Sequence, residues 1–349
     1  MANHLPRTVL TRSLSSALIV ALVACSSSYS NTTPGGGTDD GGSPSGNVDG
    51  GGSGGGDGGA ITPGTDGGTG STDGGSTVGG NYDVDGPFKV TKKTEQASNG
   101  KGSFGVTVFV PSGAGPFPVV VLSSGLQQPA AGYAPYAQRL ASWGIATITR
   151  DDPGFTSQTP SVQADVEGLV QSWLPTADGG IYDTKKVGLA GHSRGGLVSL
   201  LAAENGLLGK NKGLFLLDPV DNSGSSAKPK IASLGVPLAM IGETTDSAGA
   251  GMPCAPAADN YASFYALASS PAVAITAVDA DHVMFQDPNN CSFCGLCTKG
   301  KADPAKVLAI SQRLMTTFFA KVLLGDSKVD ATLNTTADVT AGTVTVESK

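Results

Sequence analysis

Gly191-His192-Ser193-Arg194-Gly195 sets a serine hydroxyl between small residues where an apolar, strand-like run (Val187 to Ala190) gives way to a helix-like one (Leu197 to Ala203). In a chain this rich in glycine the bare spacing carries little weight. The strand-turn-helix context carries more, because a sharp turn of that kind lifts a serine Oγ clear of the backbone as a nucleophile. Serine is a weak nucleophile until a positioned base takes its proton. The chain has three histidines. His4 falls in an N-terminal leader, His192 adjoins the serine and should be turned away by the elbow, and His282 remains as the base. The third group, a carboxylate holding the imidazole, has two candidates in the order Ser, acid, His: Asp218, ending "GLFLLD", and Asp246, after "VPLAMIGETT". Asp218 directly follows four apolar residues and should be buried beside the imidazole, whereas Asp246 sits in a polar, Gly-rich loop. Asp218 is therefore preferred, with Asp246 as the alternative. Developing negative charge on an acyl oxygen needs backbone N–H donors. Arg194 follows the nucleophile, and Leu126 follows Gly125 in the loop after "VVLSS", so their amides form the expected oxyanion hole. The Arg194 side chain is read as solvated, with a substrate carboxylate as its other possible partner. This chemistry is acyl transfer and requires no metal or cofactor.

These residues need a scaffold that brings strand ends together. Short Val- and Ile-rich runs alternate with helical periodicity from about residue 88, the pattern of an α/β chain with a mostly parallel sheet and helices on both faces. Eight strands are expected, at 88–93, 104–110, 118–123, 145–149, 186–190, 213–217, 237–241 and 272–278. Tyr136, Leu140 and Trp143 form one helix face closed by Gly144. Thr159-Pro160 opens a second helix burying Val162, Val166, Leu169 and Trp173, and Asp303-Pro304 opens a long last one bearing Val307, Ile310, Leu314 and Phe318. Neither segment between strands is long enough for an obvious helical lid, so an open cleft is expected.

The appendages are distinct in composition. Residues 1–24, with Arg7, Arg12 and the apolar run Ala17–Ala24, read as an export signal. It ends in Leu22-Val23-Ala24-Cys25, which resembles the lipobox of bacterial lipoproteins; the resemblance implies lipid attachment at Cys25, and Ser26 implies sorting to the outer membrane or cell surface. Residues 26–80 hold 22 of the 51 glycines and six Asp with no Lys or Arg. Such a stretch cannot bury enough surface to fold and reads as a tether spanning roughly 40 Å. Residues 81–324 are the catalytic domain, and 325–349 form a tail without an assigned role. Residues 81–349 carry 20 basic and 23 acidic side chains without a basic stripe, which argues against a nucleic-acid partner. The expected partners are a substrate and, through Cys25, outer-membrane lipid, the protein itself being a monomer.

Beyond Cys25 there are Cys254, Cys291, Cys294 and Cys297. The C-x-x-C-x-x-C run invites a metal reading. In an exported domain whose fourth cysteine is remote and which has no ligand histidine nearby, two disulfides are the simpler account. A bond joining the Cys254 loop to the later trio is expected, although three pairings are open.

"AGHSRGG", "LLDPVD", "PCAPAADNYASFY" and "DHVMF", in that order, resemble the plant chlorophyllase group of α/β-hydrolases. "PVVVLSSGLQQPAAGYAPYAQRLASWGIATITRD" is similar to the corresponding stretch of that group and of bacterial polyester hydrolases. The resemblance spans roughly residues 88–323 and implies the α/β-hydrolase fold and carboxylic ester hydrolysis. Chlorophyllase-like enzymes carry their acid at the place of Asp218, polyester hydrolases at that of Asp246. The chain departs from the group in having Ser124-Gly125 in place of His-Gly at the oxyanion strand end, and the resemblance is carried to the triad rather than to a substrate. Sequence thus points to a serine esterase; a silent binding lipoprotein of the same fold and an amidase or peptidase with the same triad are the competing readings.

Overall fold

The computed structural model describes residues 79–208, 212–245, 252–288 and 294–349. The leader, Cys25, the tether as far as residue 78, Asp246 and Cys291 lie outside the described residues.

Strands β1 (Val90–Ser98), β2 (Ser103–Pro111), β3 (Phe117–Ser123), β4 (Ala146–Arg150), β5 (Tyr182–His192), β6 (Leu214–Leu217), β7 (Leu238–Glu243), β8 (Ala272–Ala277) and β9 (Val344–Ser348) form one sheet in the order β1-β2-β4-β3-β5-β6-β7-β8-β9. From β4 to β8 the neighbours run parallel; the β1–β2, β2–β4 and β8–β9 pairs are antiparallel. The central strands are apolar on both faces because both are covered, and every residue of β3, β6 and β7 is buried. The period of two divides β3 between two cores. Val119 and Val121 pack with helices α2 (Thr159–Gly168), α3 (Arg194–Glu204) and α4 (Tyr261–Leu267). Val120 and Leu122 pack with α1 (Ala134–Ser142) and α5 (Pro304–Phe319). Asp303 caps α5 by accepting the Ala305 N–H at 3.0 Å, with Pro304 at the first helical position.

The sheet corrects the expected eight strands to nine. The tail is not a bare appendage: a short helix, α6 (Thr336–Thr340), leads into β9, whose Val344, Val346 and Ser348 pair with Ala277, Ile275 and Val273. Strand β8 would otherwise present an unpaired row of backbone donors and acceptors, and β9 covers it. A smaller correction concerns the second helix. Leu169–Trp173 forms a π turn, and the extra residue per turn brings Leu174 to full burial and leaves Trp173 only partly covered.

Candidate active site

Ser193 sits between β5 and α3 with φ 53° and ψ −122°, a conformation that non-glycine residues avoid. Its surroundings hold it there. The Ser193 N–H donates to the Leu217 carbonyl at 3.0 Å, and its own carbonyl accepts from the N–H groups of Gly196 (3.0 Å), Leu197 (3.2 Å) and Val220 (3.3 Å). Crowding explains the flanking glycines. A Cβ on Gly191 would lie 2.2 Å from the Gly195 carbonyl oxygen, and one on Gly195 would lie 2.2 Å from that of Ser123. The elbow therefore packs backbone against backbone, and side chains at these positions would force strand and helix apart.

Asp218 directly follows β6, where the apolar run ends, and has no exposed surface. Its N–H donates to the Ile241 carbonyl at 2.7 Å, holding it at the β6–β7 edge. His282 opens a 3-10 turn beyond β8 (His282–Phe285). That turn is capped by Asp281, which accepts the N–H groups of Val283 (3.1 Å) and Gly300 (2.8 Å), and braced by the Tyr136 hydroxyl on the Phe285 carbonyl at 2.9 Å. His282 Nδ1 lies 2.6 Å from Asp218 Oδ2. Ser193 and His282 line one cavity of about 300 Å³ at the carboxyl edge of the sheet. The structure thus brings Ser193, His282 and Asp218 to one place.

Leu126 also lines the cavity. Among the described residues neither its N–H nor that of Arg194 has an acceptor within the chain. The Arg194 side chain corrects both expectations for it. It is neither solvated nor directed at substrate: Nε donates to Asp152 Oδ2 at 2.9 Å, Nη2 pairs with Asp152 Oδ1, and the Ser157 and Gly154 carbonyls accept from Nη1 and Nη2 at 2.9 and 3.1 Å. Asp152 is nearly inaccessible, so the pair satisfies two groups that would be costly to bury alone.

His192 is not simply turned away either. It is buried in the cavity floor, with Nδ1 2.7 Å from the Tyr133 hydroxyl and Nε2 2.9 Å from the His282 carbonyl. Burial, reinforced by the neighbouring His282, pushes its pKa well below the usual histidine value, so this imidazole is neutral. Asp152 and Tyr133 escaped the sequence reading. Asp152 carries a signal, an acid two residues past the end of β4, while Tyr133 looks like one more apolar helix residue.

Cys254 and Cys297 are disulfide-bonded, their Cα atoms 5.4 Å apart, which joins the two loops as expected. Cys294 is also disulfide-bonded, and Cys291 lies outside the described residues. Beside the bridge, the Met252 N–H donates to the Leu296 carbonyl (3.1 Å) and the Thr298 N–H to the Met252 carbonyl (3.0 Å). These loops wall the cavity, and Met252 (51%), Leu296 (58%) and, opposite in sequence, Phe155 (58%) expose large apolar side chains at it.

The family model for chlorophyllase matches residues 78–345, which takes in β1 to β8, the start of β9 and every group just described. No curated protein matches the chain. With the match covering most of its length and the sheet of the expected type, the chain belongs to the chlorophyllase family of α/β-hydrolases, whose activity at family level is carboxylic ester hydrolysis.

Proposed function

We propose that the protein is a serine carboxylic ester hydrolase working through an acyl-enzyme. Ser193 Oγ attacks the acyl carbon while His282 Nε2 takes its proton. The Leu126 and Arg194 amides hold the oxyanion, and the proton passes to the departing alcohol. Water then repeats the sequence on the acyl-enzyme and frees the acid. The observation that carries this reading is the 2.6 Å contact between His282 Nδ1 and the buried Asp218 carboxylate. A carboxylate only accepts, so Nδ1 bears the proton and Nε2 keeps its lone pair for the serine. Met252, Leu296 and Phe155 beside this site support a substrate with an apolar group, entering an open cleft as a small or extended ester.

The test is a panel of p-nitrophenyl esters of rising chain length plus a polyester film, with wild type and Ser193→Ala. The wild type should hydrolyse esters and be labelled by a fluorophosphonate. Ser193→Ala should do neither while melting at the same temperature, and retained turnover or labelling would refute the mechanism.

We also propose that the protein is exported as a monomer and anchored through a lipid on Cys25. Supporting this, Leu22-Val23-Ala24-Cys25 closes an apolar leader and precedes the Gly- and Asp-rich tether. Cys25→Ala should move the protein from the membrane to the soluble fraction; an unchanged membrane fraction would count against the anchor.

A further inference from the structure

Both side chains flanking Ser193 lead, through one intermediary each, to the same loop. On one side, the His282 carbonyl can only accept, so His192 Nε2 carries the proton and Nδ1 is the acceptor. The Tyr133 hydroxyl therefore donates to Nδ1 at 2.7 Å, its contact with Gln286 Oε1 being longer at 3.3 Å, and its oxygen accepts the Gly125 N–H at 3.1 Å. On the other side, Arg194 holds Asp152, and Asp152 Oδ1 accepts the Gln127 N–H at 2.9 Å. The Asp152 N–H donates in turn to the Gln128 carbonyl at 3.0 Å. Gly125 and Gln127 are the residues on either side of Leu126.

Their geometry makes the Leu126 amide special. The Gln128 N–H closes a β-turn on the Gly125 carbonyl at 2.9 Å, with Gln127 at φ 57°. In such a turn the second residue's N–H has no partner within the turn and points outward. With the amides before and after it each gripped, the direction of Leu126 N–H is set. Resting on the serine-hydrolase reading, we propose that His192 and Arg194 are positioning residues: through Tyr133 and Asp152 they grip the Gly125 and Gln127 amides and so aim the Leu126 amide as an oxyanion donor. The elbow thereby fixes the distance between its own Arg194 amide and the second donor. Three further facts fit. A Cβ on Gly125 would sit 3.0 Å from His192 Nδ1, so the loop is pressed onto the imidazole. Burial keeps His192 neutral, which preserves its one-donor, one-acceptor role and puts no second cation beside His282, 4.6 Å away between ring centroids. The same imidazole holds the His282 backbone, so base and oxyanion loop share one strut.

The experiment measures kcat and KM on p-nitrophenyl butyrate, inhibition by an alkyl boronic acid, and melting temperature for Tyr133→Phe, Asp152→Asn, His192→Leu and His192→Gln. Wild-type turnover that depends on Ser193 is established first; its absence would count against the esterase reading, and the comparison among variants bears on the positioning alone. Tyr133→Phe and Asp152→Asn should each lower kcat by roughly tenfold to a hundredfold with KM within about twofold, the range expected when an oxyanion donor is misdirected rather than deleted. Boronate affinity should fall in step with kcat/KM. His192→Leu combined with Tyr133→Phe should lose little more than either alone, because the two act in series. His192→Gln, which keeps a donor and an acceptor, should recover part of the loss. If Tyr133→Phe and Asp152→Asn keep kcat within twofold, or lose only KM, or leave boronate affinity unchanged while kcat falls, the proposal is overturned; these two variants decide it even if His192→Leu does not fold.

Discussion

Replacing Asp218 by Asn removes a charge and keeps the shape. In the transition state the imidazole becomes a cation next to this carboxylate, whose Oδ2 lies 2.6 Å from Nδ1. Taking the charge centres as ~4 Å apart in an effective dielectric of ~20, the attraction lost is about 4 kcal/mol. That corresponds to about a thousandfold in rate. A second cost adds to it. The Asn amide can turn its NH2 toward Nδ1, which moves the imidazole proton to Nε2 and leaves no lone pair facing Ser193. Together these give a kcat loss of about 10³ to 10⁴, the scale at which wrong-tautomer triads operate. KM should change little, because Asp218 is covered by His282 and has no surface of its own to offer a substrate. The assay is kcat on p-nitrophenyl butyrate for Asp218→Asn and Asp246→Asn, each with its melting temperature. Asp246→Asn should stay within a few-fold of wild type. If Asp218→Asn keeps kcat within tenfold while Asp246→Asn loses several orders of magnitude, the triad reasoning fails, and Asp218 is only a buried acid at the end of β6.

Two further expectations concern stability. The Cys254–Cys297 bridge spans a sequence separation of 43, for which chain entropy alone gives about 4 kcal/mol, so Cys254→Ser with Cys297→Ser should lower the urea-unfolding free energy by about 2 to 4 kcal/mol and raise KM for apolar esters. An unchanged midpoint would show that the wall of the cavity stands without its bridge. Glu204, at the end of α3, has its carboxyl pushed up to about 7 by burial, with Lys230 opposing and Asp221 adding to the rise. Because the folded value lies above the unfolded one, the wild type loses stability as pH climbs from about 4.5 through 7. Glu204→Gln should therefore have a higher urea-unfolding free energy than wild type at pH 8, by an amount of order 1 kcal/mol once solvent screening is allowed for, and no higher at pH 4. Equal differences at both pH values would rule out the titration as the cause.

What sequence could and could not reveal follows the range of the interactions. All eight expected strands are present, those after the first because each is a local apolar run, but their ends moved where a distant partner decides them. β1 continues to Ser98 because β2 supplies a register as far as Ser103, and β5 begins at Tyr182 because Phe117 pairs there. β9 has only the weak alternation of "TVTVES", and its place depends on β8 having an open edge, which no local pattern records. The π turn at Leu169–Trp173 likewise follows from packing, and it undid a helical stripe drawn at constant period.

The candidate site divides along the same line. Ser193 and Asp218 stand out because each follows the apolar run of a predicted strand, and His282 because it is one of only three histidines and follows another. His192 and Arg194 were misjudged for the opposite reason: their partners are far away in the chain. Tyr133 is 59 residues from His192, the His282 carbonyl is 90, and Asp152 is 42 from Arg194. A histidine beside a nucleophile therefore reads as redundant and an arginine there as solvated, when the histidine is buried, the arginine largely covered, and both are fully engaged. The physical lesson lies in burial: a charged or hydrogen-bonding side chain at a strand-helix junction covered on both faces has to find a partner, since leaving it unpaired costs more than most single interactions return. The question to ask of "GHSRG" is thus what His192 and Arg194 bind. In this fold His192 binds Tyr133 and the His282 carbonyl, Arg194 binds Asp152, and Tyr133 and Asp152 in turn accept the amides on either side of Leu126.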